Sequence, residues 1–96
     1  MTKIHLVARV PNEGARLTAQ WILQQPDGAF DRLAAKIGTG VIGLSRILAG
    51  EVLPGEQLGF LIYSATRCSV DTRDFWRPAK GGWFDVAEAQ PARRAA

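Results

Sequence analysis

Apolar positions along this chain recur first with a period of two and then, for most of its length, with helical spacing. From Lys3 to Val10 they alternate. Ile4, Leu6, Ala8 and Val10 fall on one side and Lys3, His5, Val7 and Arg9 on the other, the pattern of a strand with one covered face. Pro11-Asn12-Glu13-Gly14 punctuates the chain as a turn. A first helix is predicted from Ala15, with Leu17, Trp21 and Gln24 on one stripe and Ile22 and Leu23 beside it. It ends near Gln25, because Pro26 cannot continue it.

Asp27-Gly28 opens a second helix, where a carboxylate oxygen can accept a free first-turn amide. Phe30, Leu33, Ala34 and Ile37 then stand at i, i+3, i+4 and i+7, a continuous buried face. Gly38 permits a turn at positive φ. A third helix resumes with Leu44, Ile47 and Leu48 facing inward and stops at Gly50. Pro54-Gly55 precedes a fourth amphipathic helix over Glu56 to Thr66, carried by Leu58, Ile62 and Ala65 with Leu61 alongside. Val70 to Trp76 reads as a short fifth helix, capped by Asp71 and stopped before Pro78. Gly81-Gly82 reads as a hinge, and Trp83 to Ala87 as a second short strand. Glu88 to Ala96 is small and polar and reads as a flexible tail. No internal repeat or linker divides the chain. The predicted organisation is one mainly α domain over 1–87, with a tail over 88–96.

Ninety-six residues suffice for one core, and the 47% hydrophobic content with three tryptophans predicts a folded chain. A net charge of +3 and a pI of about 9.6 suit a polyanionic partner without demanding one. Cys68 is the only cysteine, which excludes an intramolecular disulfide and a cysteine-based zinc site; its apolar neighbours predict a small core residue. No signal-peptide pattern and no run of membrane-spanning length occurs, so a cytoplasmic chain with no membrane association is expected.

The segment Leu33 to Gly50 holds two short helices joined by a glycine-containing turn, the unit that can place one helix in the major groove of duplex DNA. Ala34 must be small where the two helices cross, and Leu44 and Ile47 fix the crossing angle. The opposite face of the third helix then protrudes, with Ile42, Arg46 and Ala49 at i, i+4 and i+7.

This layout resembles the lambda-repressor and Cro-like (XRE) family of helix-turn-helix regulators. The resemblance covers roughly residues 15 to 77 as a five-helix bundle. It is carried by Leu33-Ala34, Ile37-Gly38, Leu44, Ile47 and Leu48-Ala49-Gly50, and by Val70-Asp71-Thr72-Arg73-Asp74-Phe75 as the last capped helix. The resemblance implies a sequence-specific regulator of transcription, most often a repressor, that binds a palindromic operator as a homodimer and associates with the nucleoid. It places the base-reading positions at Gly40, Val41, Ile42 and Gly43 and then Ser45 and Arg46. Of these, Arg46 can make a bidentate contact to guanine, Ser45 one hydrogen bond, and Val41 and Ile42 can contact thymine methyls. The chain departs from the family at Ala49, where an Asn is usual, and at Glu51-Val52-Leu53, where the loop is often basic.

Backbone contacts are expected from Arg32, Lys36 and Thr39 and from the side-chain-free Gly40 and Gly43, which either let the backbone approach phosphate or merely shape the turn. Arg16, Arg67, Arg73, Arg77 and Lys80 are further cations, and Arg93-Arg94 a candidate minor-groove arm. Phe75, Trp76, Trp83 and Phe84 form a candidate dimer surface, with packing inside one subunit as the alternative.

Gly38-Thr39-Gly40-Val41-Ile42-Gly43 matches the dinucleotide fingerprint letter for letter. A helix precedes it, however, and Tyr63 stands where an acid is needed, so that reading is excluded. Catalysis is not expected: His5 is the sole histidine and lies in the strand pattern, capping accounts for Asp71 and Asp74, and Ser45 and Ser64 lack a base. No cofactor or metal is expected. The rival expectation is a helix-turn-helix module whose Val41-Ile42 face binds a protein, as in an antitoxin or a polymerase-binding regulator.

Overall fold

The computed structural model describes residues 4–85. It is a helical bundle of α1 (Glu13–Gln24), α2 (Ala29–Ile37), α3 (Gly40–Leu48) and α4 (Glu56–Ala65), followed by a 3-10 helix (Thr72–Trp76). The expected fifth α-helix is thus a single tight 3-10 turn, too short to hold an α-helical ladder between the Asp71 cap and Pro78. The cap itself is as expected. Asp71 accepts the Arg73 amide, and the Asp74 carboxylate reaches back to the Asp71 amide at 2.9 Å, forming a reciprocal box.

Neither expected strand forms among the described residues. Residues 4–10 have no partner strand. Ile4, Leu6 and Val10 lean on the core as the alternation implied, while Ala8 is exposed. Trp83 to Asp85 form a turn, and the rest of that expected strand, with Glu88 to Ala96 and Arg93-Arg94, lies outside the described residues.

α1 begins two residues earlier than predicted, since Asn12 caps it by accepting the Ala15 amide at 2.7 Å. Its buried face is Ala15, Thr18, Ala19 and Ile22. Leu17 and Trp21 are half-buried, whereas Gln24 and Leu23 are exposed. Asp27 does not cap α2; Gly28 holds the N-cap position at φ 89°, a left-handed conformation closed to most side chains.

The core joins α1, α2, α3 and α4 through Ile22, Phe30, Leu33, Ile37, Leu44, Ile47, Leu48 and Ile62, with Val70, Phe75 and Trp83 added from the C-terminal part. Phe75 lies flat on Gly14, where a Cβ would collide with the ring. Gly50, at φ 78°, lies against Pro11 and likewise leaves no space for a Cβ. Cys68, expected inside, is exposed in the turn after α4 at φ 67°, because the chain reverses there before Val70 re-enters the core.

Residues 77–85 form a strap along α1. The buried Arg16 pairs with Glu13 at 2.8 Å and donates to the carbonyls of Gly82 and Asp85 at 3.1 and 2.9 Å. Glu13 also accepts the Lys80 amide at 2.9 Å, and Gln20 donates to the carbonyls of Trp83 and Asp85. The Trp83 indole donates to the Val7 carbonyl at 2.6 Å, tying both terminal segments together. Gly81-Gly82, expected to hinge, is therefore held: Gly82 is bonded to Arg16 through its carbonyl and to the Asp85 carboxylate through its amide.

Candidate nucleic-acid interface

α2, its turn and α3 carry the features expected of a helix-presenting unit. Gly38 closes α2 at φ 78°, its amide donating to the Ala35 carbonyl at 3.2 Å. Thr39 is helical in φ and ψ, and Gly40 opens α3 at φ 71°. Both glycines face open space, so what requires glycine there is the left-handed backbone and not a tight neighbour. Gly43 is different, since a Cβ on it would run into the Thr39 side chain. Thr39 thus folds over the first turn of α3, where its hydroxyl donates to the Gly40 carbonyl at 3.0 Å.

Leu44, Ile47 and Leu48 anchor α3 in the core. Ile42 on the outer side is 69% exposed, and Arg46 is exposed one turn further on. Ser45 and Val41 are half-buried, and Val41 also packs against the core, so only part of it can meet a partner. No hydrogen bond or ion pair engages the Arg46 side chain among the described residues. A cation in the last turn also suits the negative end of the helix dipole. The protruding face is a strip of one cation and one large aliphatic side chain, flanked by a hydroxyl and two glycines.

The other cations divide. Arg16 is withdrawn from any surface role by its burial against Glu13 and the strap. Arg73 pairs with Asp71 at 3.4 Å and Arg77 with Asp74 at 3.0 Å. Arg67 and Lys80 are exposed. Arg32 and Lys36 are exposed on α2, but they line a cleft toward the ends of α1 and α4, with no α3 residue in its wall. The Arg32 guanidinium donates to the carbonyls of Asp27 and Pro26 at 2.8 and 3.0 Å.

The four aromatics of the expected dimer surface separate into two pairs. Phe75 and Trp83 are buried in the monomer. Trp76 and Phe84 are 58% and 74% exposed and remain available to a second copy. On α4, Leu61, expected alongside the buried stripe, is exposed, and sequence reasoning missed the exposed Phe60 next to it. The signal for Phe60 was present, since it falls off the Leu58-Ile62-Ala65 stripe. No described helix is long and apolar enough to cross a membrane.

No protein-family model, curated protein or solved structure matches this chain.

Proposed function

We propose that this chain is a sequence-specific, double-stranded-DNA-binding regulator of the helix-turn-helix type. In this reading it acts as a repressor at the nucleoid and grips a palindromic operator as a homodimer. The observation that carries the reading is the disposition of α3: its inner face is fixed by Leu44, Ile47 and Leu48 while Ile42 and Arg46 stand free on the other side. A rigid helix with a free face suits a major groove about 12 Å wide. Arg46 would read guanine, Ile42 and the exposed part of Val41 thymine methyls, and Ser45 a single acceptor. Thr39, Gly40 and Gly43 would lie nearest the phosphates. Trp76 and Phe84 would join the two copies, and two half-sites one helical turn apart would multiply a sparse readout.

Selection and sequencing of bound genomic fragments, followed by anisotropy titrations, tests this. Affinity should fall with salt at a log–log slope of about −0.9 per phosphate contacted. Arg46→Ala should cost about 1–3 kcal/mol at a guanine-containing site. Indifference to every duplex in dilute buffer, or an unchanged affinity in Arg46→Ala, would overturn it.

The exposure of Ile42 favours one rival, a protein partner seated on the same apolar strip. In that case Ile42→Asp abolishes capture of the partner while DNA selection yields no enriched sequence.

A further inference from the structure

We propose that the cleft bounded by the end of α1, one face of α2 and the end of α4 binds a small planar molecule bearing an anionic group, of which a single-ring aromatic carboxylate is the simplest case. The cleft measures about 210 Å³. The buried Ala29, Leu33 and Ala65 line it together with the half-buried Trp21. Arg32 and Lys36 stand at its rim, with Gln25 as a neutral donor.

The arrangement follows from helical spacing. Ala29, Arg32, Leu33 and Lys36 occur at i, i+3, i+4 and i+7, so apolar lining and cationic rim share one face of α2. Two cations one turn apart repel each other, and no carboxylate lines the cleft to offset them. An anion arriving from solution supplies that charge.

Arg32 keeps donors to spare. Two of the five guanidinium N–H donors are used on the Pro26 and Asp27 carbonyls, which leaves three for a ligand. A planar donor fork matches a carboxylate in two parallel bonds, while Lys36 adds a point charge beside it. The indole offers a flat apolar face against which a ring stacks. Size narrows the class, because ordinary small-molecule pockets run from roughly 300 to 1,000 Å³ and this one is smaller. A single substituted ring matches this volume, whereas a nucleotide or an extended chain would reach beyond it.

The cleft shares no lining residue with α3, and a duplex titrated beside the small molecules separates it from the backbone contacts also expected of Arg32 and Lys36. Benzoate, its neutral isostere benzamide and a short duplex are each titrated into the isotopically labelled full chain and followed by amide and indole NMR. Benzoate is expected to shift the Trp21 indole N–H and the Gln25, Arg32 and Lys36 amides along one saturable curve, with benzamide about tenfold weaker. Arg32→Gln and Lys36→Gln, both at exposed positions, are each expected to weaken benzoate while leaving the rest of the spectrum in place. Equal response to benzamide, shifts that do not saturate, or retained affinity in both variants would overturn the proposal. So would movement of these resonances by duplex and not by benzoate, since the two cations would then belong to a phosphate contact.

Discussion

Arg16 and Glu13 form an ion pair of 2.8 Å in which each side chain is only 1% exposed, and the same two groups hold the backbone of the C-terminal strap. Two charges taken from water are tolerated here because each guanidinium nitrogen and each carboxylate oxygen has a partner: Arg16 reaches Glu13, Gly82 and Asp85, while Glu13 reaches Arg16 and Lys80.

That arrangement makes the pair costly to break from one side. Arg16→Met leaves a buried carboxylate without its cationic partner and removes two hydrogen bonds to the strap, and is expected to cost about 3–5 kcal/mol. Against a typical total of about 5–15 kcal/mol, such a loss brings a small domain near its unfolding threshold. Replacing both residues, as in Glu13→Leu with Arg16→Met, removes the stranded charge and should cost less than the two single changes added together. Urea denaturation of the four proteins checks it; additive losses would show that the two groups act separately.

The contact between Gly14 and Phe75 gives a second expectation. Alanine at position 14 favours the helix by up to about 1 kcal/mol, but its methyl would occupy the space of the Phe75 ring. Overpacking of this kind costs about 1–3 kcal/mol, so Gly14→Ala should be destabilising on balance. The penalty should shrink in a Phe75→Leu background, where the flat ring is gone. Thermal unfolding of both pairs reads it, and an undiminished penalty would place the conflict elsewhere.

Gly38 and Gly40 test the turn by dihedral alone, since neither has a neighbour that a Cβ would strike. Alanine at either position is expected to cost about 1–2 kcal/mol, the preference of L-residues against left-handed backbone. Gly38→Asn should cost less than Gly38→Ala, because asparagine tolerates that conformation better. Equal losses would mean that the turn rearranges instead of bearing the strain. Denaturation midpoints of the three variants decide it.

Much of α2 and α3 was legible because their inward residues are large, apolar and evenly spaced. Phe30, Leu33, Ala34 and Ile37 all lie inside, as do Leu44, Ile47 and Leu48, and Gly38 and Gly50 both take positive φ. The face of α3 left for a partner then follows by elimination. α1 was harder, since it buries Glu13, Arg16 and Thr18 along with small alanines, and hydrophobic periodicity cannot mark a charged residue as inward. The early strand pattern misled for a related reason: alternation shows which side chains lean on the core, not whether a neighbouring strand exists to pair with. The cleft on α2 was out of reach because it depends on Trp21 and Ala65, which are distant in sequence from Lys36.

Asp71 predicts how the end of the fold responds to acid. Its carboxyl is held below the ordinary value of 3.8, first by the hydrogen bond from the Arg73 amide and then by the Arg73 side chain and the charge of Arg77, with slight burial acting in the opposite direction. A folded-state value below the unfolded one means that the cap stabilises fully above the ordinary carboxylate range. Its contribution is then lost as pH falls through the lowered value. The side chain is 35% exposed, so solvent screening keeps the charge effect small. Removing the cap altogether with Asp71→Ala should cost about 0.5–2 kcal/mol at neutral pH. The informative quantity is the stability difference between native chain and variant measured from neutral pH into acid. That difference should stay level down to mildly acidic pH and close below it, whereas Asp71→Asn, which caps without a charge, should show no such closure relative to Asp71→Ala. A gap between the native chain and Asp71→Ala that persists unchanged at low pH would show that the carboxylate charge contributes nothing to the cap.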